Sequence, residues 1–202
     1  MRIQITNQRS VRLATVTTAL FAVMLFLAGC VVTSIYPYYT DKDLVFDQAV
    51  LGDWVEAGQT NQTSEYVRIE PAGGKGYRAT IFGADETNSS DVYLFQLKQQ
   101  LFLDTCSTNR SLDFVPVHQV SKVIKIGPAL ETVNLNYDWL KKMLGKNPGA
   151  IRHMVLQDNK PDDKQGGRIV LTADTKELQR FLVKYVDDTN AWKEPSQFKR
   201  LN

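Results

Sequence analysis

From residue 52 onward, apolar and β-branched runs recur about every dozen residues, separated by Gly, Asn, Asp and Lys. The pattern predicts strands over 52–56, 64–70, 76–82, 91–97, 100–104, 117–126 and 130–135. Alternation within the runs sets their faces: Val67 and Ile69 share one side of a strand, and Tyr77, Ala79 and Ile81 share one side of the next. Ala72-Gly73-Gly74-Lys75-Gly76 offers the positive-φ positions a hairpin loop needs, and Lys98-Gln99 is short enough to close another. Adjacent strands joined by short loops predict a mainly β fold, an antiparallel up-and-down meander long enough to curl into a barrel and so remove its own edges.

The period changes twice. Asn136 is placed to cap a helix through Leu144, with Tyr137, Leu140, Met143 and Leu144 on one stripe and Gly145 as its stop. Asp174 and Glu177 form a capping-box pattern, followed by Leu178, Phe181, Leu182 and Tyr185 at the spacing of a buried helical face, so a second helix is expected over 175–186. Strands at 151–157 and 168–172 fall between these helices, and the tail with Trp192 and Phe198 is expected to fold back on the barrel.

The N-terminus follows neither period. Arg2, Arg9 and Arg12 precede an apolar run from Leu13 to Leu27, with no acidic residue, which is the pattern of a secretory leader. Its close, Leu27-Ala28-Gly29-Cys30, resembles a bacterial lipobox. The resemblance implies that Cys30 carries a diacylglyceryl group and becomes the first residue of the mature chain. An uncleaved membrane helix is the alternative for this run, which approaches the roughly 17–25 residues a span requires. Val31 stands where Asp would be the usual inner-membrane retention residue, so by the same resemblance the chain is expected in the bacterial cell envelope, anchored at the outer membrane.

The organisation expected is a leader over 1–29, a lipidated tether and lead-in over 30–49, and one barrel domain over 50–202 with the helical insertion at 136–144. Tyr36, Tyr38 and Tyr39 in the lead-in have two readings, resting at the membrane interface or packing on the flank of the domain. Charge changes the picture once the leader is set aside. Three of the 24 basic residues and none of the 22 acidic ones precede Cys30, leaving 21 against 22 and a formal charge of −1. No Lys/Arg block follows, so nucleic acid is not an expected partner.

Gly52-Asp53-Trp54 follows a lead-in with Leu44, Val45 and Phe46, and resembles the Gly-x-Trp signature of lipocalins. The resemblance implies a calycin barrel whose Trp54 plugs the closed end, with a late-strand Arg, for which Arg168 is the candidate, packed on that Trp. The Thr-Asp-Tyr motif of the family is absent, and the 136–144 helix interrupts its strand succession. The whole chain is similar to uncharacterised bacterial lipoproteins with lipocalin-like barrels. A small hydrophobic or amphipathic ligand, lined by Trp54, Val67, Ile69, Tyr77, Ala79 and Ile81, is what this implies. The rival is an envelope interaction module with a filled barrel and a protein partner.

Candidate chemistry is sparse. Cys106, His118 and His153 are the residues from which a nucleophile and base could be built, which requires an imidazole within hydrogen-bond reach of the thiol. No nucleophile elbow or Cys-protease signature surrounds Cys106, so it is expected to be a buried inert thiol and the chain not an enzyme. Two histidines without Cys-x-x-Cys or His-Glu-x-x-His make a poor zinc site, and Pro161 spoils an EF-hand reading of Asp158, Asp162 and Asp163. No metal or cofactor is expected. The glycine loop lacks the spacing of a phosphate cradle, and the sequons at Asn61, Asn88 and Asn109 read as polar loops.

Overall fold

The computed structural model describes residues 32–58, 65–83, 87–108, 115–156, 168–193 and 195–201. The leader, Cys30, the sequons at 61 and 109 and the acidic trio at Asp158, Asp162 and Asp163 lie outside the described residues. After a short β1 (Thr33–Ser34), seven strands run in succession: β2 (Gly52–Glu56), β3 (Tyr66–Pro71), β4 (Gly76–Phe82), β5 (Thr87–Leu97), β6 (Gln100–Ser107), β7 (His118–Lys125) and β8 (Ala129–Asn134). Each pairs antiparallel with the next. A last strand, β11 (Ser196–Arg200), pairs with both β8 and β2 and closes an eight-stranded, lipocalin-like barrel. Mainly β with two helices is therefore the fold, and the tail is its eighth stave. Ser-Gln-Phe-Lys-Arg carries one apolar residue, so its strand character comes from two neighbours supplying hydrogen bonds rather than from its own pattern.

The chain between β8 and β11 leaves the barrel. It forms α1 (Tyr137–Lys146), the hairpin β9 (His153–Leu156) and β10 (Arg168–Leu171), and α2 (Thr175–Tyr185). Asn136 caps α1 through bonds from the Asp138 and Trp139 amides, and Asp174 caps α2 through the Glu177 amide. Gly145 does not stop α1, which continues to Lys146 and ends at Asn147. A glycine in a last turn costs only about 1 kcal/mol and the packed face of the helix outweighs it. The hairpin joins the barrel through β1, which pairs parallel to β10 and antiparallel to the start of β7.

Two cores result. Inside the barrel, Val50, Trp54, Ile69, Tyr77, Ala79, Val92, Leu94, Leu103, Val123 and Leu130 pack together. Outside it, Phe95, Leu97, Phe102, Val120, Val133 and Leu135 on the wall meet Leu140, Leu144, Leu178, Phe181 and Leu182 of the helices. β5 serves both, with Val92 and Leu94 inward and Phe95 and Leu97 outward. The sequon at Asn88 lies on β5, a strand and not a loop, because Asn88 pairs with Ile81 in the β4 ladder.

The lead-in is not a loose tether. Val32, Thr33, Ser34 and Tyr38 are all buried, with the Tyr38 backbone N–H bonded to Asp104 and its carbonyl accepting from Gln179 of α2. Of the two readings for the tyrosines, Tyr38 and Tyr39 pack on the flank while Tyr36 is exposed. The first described residue, Val32, is already packed into the domain.

Candidate functional site

The Gly52-Asp53-Trp54 triplet is built at one end of the barrel. Gly52 has φ +121°, a strained backbone for other residues, and a Cβ there would meet Arg200 Nη1 at 2.7 Å and push the guanidinium aside. Arg200 is the register partner of Trp54 and stacks on it, 4.5 Å from the ring centroid. The same guanidinium donates to the Ala49 and Leu51 carbonyls at 2.8 Å, and Trp54 Nε1 donates to the Val50 carbonyl at 2.9 Å. The Asp47 amide donates to the Tyr77 hydroxyl at 2.7 Å, and Phe46 stacks on the Tyr77 ring. The expected Arg168 is exposed on β10, outside the barrel. Arg200 takes the position instead, because β11 and not β10 lies beside β2.

All six candidate cavity residues share the inner face of β2–β4. Trp54, Val67 and Ile81 form one cross-strand row and Ile69 and Ala79 another, with Tyr77 beside Val92. The structure brings them together, and it packs them: Trp54 and Tyr77 are fully buried, as are Val50 and Leu94 beside them. At this end the interior is side chains in mutual contact, as small barrels commonly are.

Concavity lies at the barrel end opposite Trp54, where Gln119, Asn134 and Ser196 on the inward face of β7, β8 and β11 line it together with α1. A trough of about 1150 Å³ is bounded by α1, by the ends of β7 and β8, and by the turn 189–193. It is slightly larger than the roughly 300–1,000 Å³ typical of small-molecule sites. The spacing of α1 explains its character. Trp139 and Met143 form one i, i+4 row, and Asp138, Lys142 and Lys146 form the row beside it, so an apolar stripe borders a cationic one. Val32, Val120, Leu135 and Trp192 extend the apolar floor, and Lys193 adds a third ammonium against the one carboxylate of Asp138. Lys122 lies over Trp192 and donates to the Val186 carbonyl. Burial lowers its pKa, with Asp187 acting in the opposite sense. A second trough, about 670 Å³ between α2 and the β5–β6 turn, is lined mainly by charged and amide groups. The first trough was not legible in the sequence, since its walls come from four separated segments.

The third cluster is polar. Asp104, fully buried on the outer face of β6, accepts the Tyr38 amide at 2.9 Å and holds His118 Nδ1 at 2.7 Å. Burial pushes its carboxyl above the ordinary range, opposed by the bonds from His118 and Tyr38. Burial also raises the Tyr38 hydroxyl, with the Asp104 carboxylate adding to the effect. Cys106 is register partner to His118 and half-buried rather than buried, because β6 is ending there. His153 sits in the same row three strand spacings from His118, roughly 14 Å away, with its Nδ1 on the Ile151 carbonyl. Asp104 and His118 therefore clasp the lead-in to the barrel. Among the described residues no group of three or more His, Cys, Asp or Glu side chains is placed to hold a metal ion, and no described helix is long and apolar enough to cross a membrane. Compared with family models, curated proteins and solved structures, the chain matches none.

Proposed function

We propose that this chain is a lipid-anchored cell-envelope protein whose barrel domain binds a small amphipathic molecule with an anionic head, without converting it. The site is the trough at the open end of the barrel, in place of the six residues at the packed Trp54 end that the resemblance suggested. The observation that carries this reading is the lining of α1, where Trp139 and Met143 run beside Lys142 and Lys146 in a concavity of ligand size. An apolar tail against the first row and a carboxylate or phosphate against the second match both halves of such a molecule. The leader and the Leu27-Ala28-Gly29-Cys30 close support the anchor.

The packed Trp54 end of the lumen favours a second reading, an envelope interaction module with no small ligand. A fluorescent fatty acid separates the two. Saturable 1:1 binding, weakened at least tenfold by Lys142→Glu with Lys146→Glu, is expected of the ligand reading. Unsaturable binding, or binding indifferent to the charge reversals, replaces it with the interaction module. Binding that appears only in Cys30→Ser would show that the anchor's own acyl chain fills the trough.

A further inference from the structure

β9 is the outermost strand of the sheet and pairs only with β10 among the described residues. Met154, Val155 and Leu156 on it are 46%, 53% and 45% exposed. Successive side chains of a strand point to opposite faces, so Met154 and Leu156 present apolar surface on one side of the hairpin and Val155 on the other. An unpaired, apolar edge is a liability in water unless something covers it. Natural edges are commonly blunted by Lys, Pro or a bulge, and Met154-Val155-Leu156 has none of these.

The register shows where this edge stands. Thr33 is level with Val170 and Val170 with Met154, so Val32 falls in the row of Ile169 and Val155, two strand spacings or roughly 10 Å from Val155. Cys30 is two residues before Val32 and lies within about 7 Å of it by chain length alone. Ser34 pairs with His118 at the start of β7, which places this entry point at the end of the barrel opposite Trp54, Arg200 and the β3–β4 and β5–β6 turns. Cys30 and the exposed apolar edge of β9 are thus neighbours. Residues 157–168, which connect β9 to β10 and open the latter, hold three Asp against two Lys and one Arg, so the hairpin tip is electrically neutral.

We infer that the β9–β10 hairpin is a membrane-docking edge, with Met154, Val155 and Leu156 seated in the interfacial layer of the bilayer that holds the anchor. The occupant is the lipid surface. Anchoring with almost no linker keeps the edge beside the bilayer, shallow insertion removes its apolar surface from water, and the closed barrel end points away. The trough is then held near the membrane as well, since Val32 is one of its walls. The inference rests on the membrane attachment proposed above, and holds whether the leader is replaced by lipid or retained as a span.

The test is a nitroxide label at Val155→Cys in the full chain with Cys106→Ser, reconstituted in phosphatidylethanolamine/phosphatidylglycerol vesicles, with Gln99→Cys in the β5–β6 turn as control. At position 155 the vesicles should raise accessibility to oxygen and lower accessibility to a nickel chelate severalfold. Position 99 should remain as open to nickel as in detergent. Protein that fails to float with the vesicles refutes the anchor. Protein that floats with position 155 as nickel-accessible as position 99 refutes the docking edge alone. Dipolar broadening between labels at 155 would assign the edge to a second copy of the chain and overturn the lipid occupant.

Discussion

The inside and the outside of the barrel are both hydrophobic, yet they are finished to different degrees. The lumen core is closed at one end by Gly52, Trp54 and Arg200, whose shapes and hydrogen bonds interlock. The outer wall is covered by two helices and a hairpin, and this cover leaves a trough at the open end, an exposed strand and a buried carboxylate behind. A packed end has little room for a ligand, whereas a cover assembled from separate segments leaves gaps between them. The difference sets an interlocked, packed end of the barrel against an open end with a concavity of ligand size.

The sharpest division is expected from Trp54→Ala. Deleting a buried Trp costs about 3–5 kcal/mol, and at roughly 2–4 °C per kcal/mol for a domain of this size the melting temperature should fall by about 6–20 °C. A melting curve unchanged by Trp54→Ala would break the comparison, because it would mean the lumen core contributes little.

Filling the lumen further probes the same boundary. Ala79→Trp should cost about 1–3 kcal/mol through overpacking against Ile69 and its neighbours, while fatty-acid affinity measured on the folded protein stays within about twofold. Loss of binding with stability intact would return the site to the Trp54 end of the lumen.

The clasp on the wall carries a pH signature. Burial raises the Asp104 carboxyl, so the folded chain holds that proton more tightly than the unfolded chain does. Stability linked to this group is full below the ordinary Asp value of about 3.9 and declines as pH rises through the raised folded value. The advantage of wild type over Asp104→Asn in urea unfolding should therefore narrow from pH 4 upward. A difference that is flat or widens would show that the His118 and Tyr38 bonds outweigh burial.

The smallest effect has the opposite sign. The Tyr38 hydroxyl is buried without a hydrogen-bond partner among the described residues. A buried unsatisfied polar group costs about 1–3 kcal/mol, so Tyr38→Phe should leave stability equal or raise it by about 1 kcal/mol. A clear loss on thermal unfolding would mean the hydroxyl has a partner.

Much of the barrel was legible because strand identity is a local property. The spans 52–56 and 76–82 match their strands end to end, and the inward faces of Val67, Ile69, Tyr77, Ala79 and Ile81 follow from period-2 alternation. Both helix N-caps were legible for the same reason, since Asn136 and Asp174 act within three residues of themselves.

What the tertiary structure alone decided is which segments meet. β11 became a stave because β8 and β2 each left an edge to be paired, and this made Arg200 rather than Arg168 the partner of Trp54. β1 joined the hairpin to β7 through two residues that carry no periodic pattern. The trough arises where Val32, α1 and the turn at 189–193 converge, and the β9 edge where β10 pairs with β1 on its other side. By itself the sequence determined most of the barrel strands, the helix caps and an apolar N-terminal run, because spacing along the chain is sufficient for those. It left open how the pieces close, because closure depends on unpaired edges and apolar faces far apart in sequence finding one another.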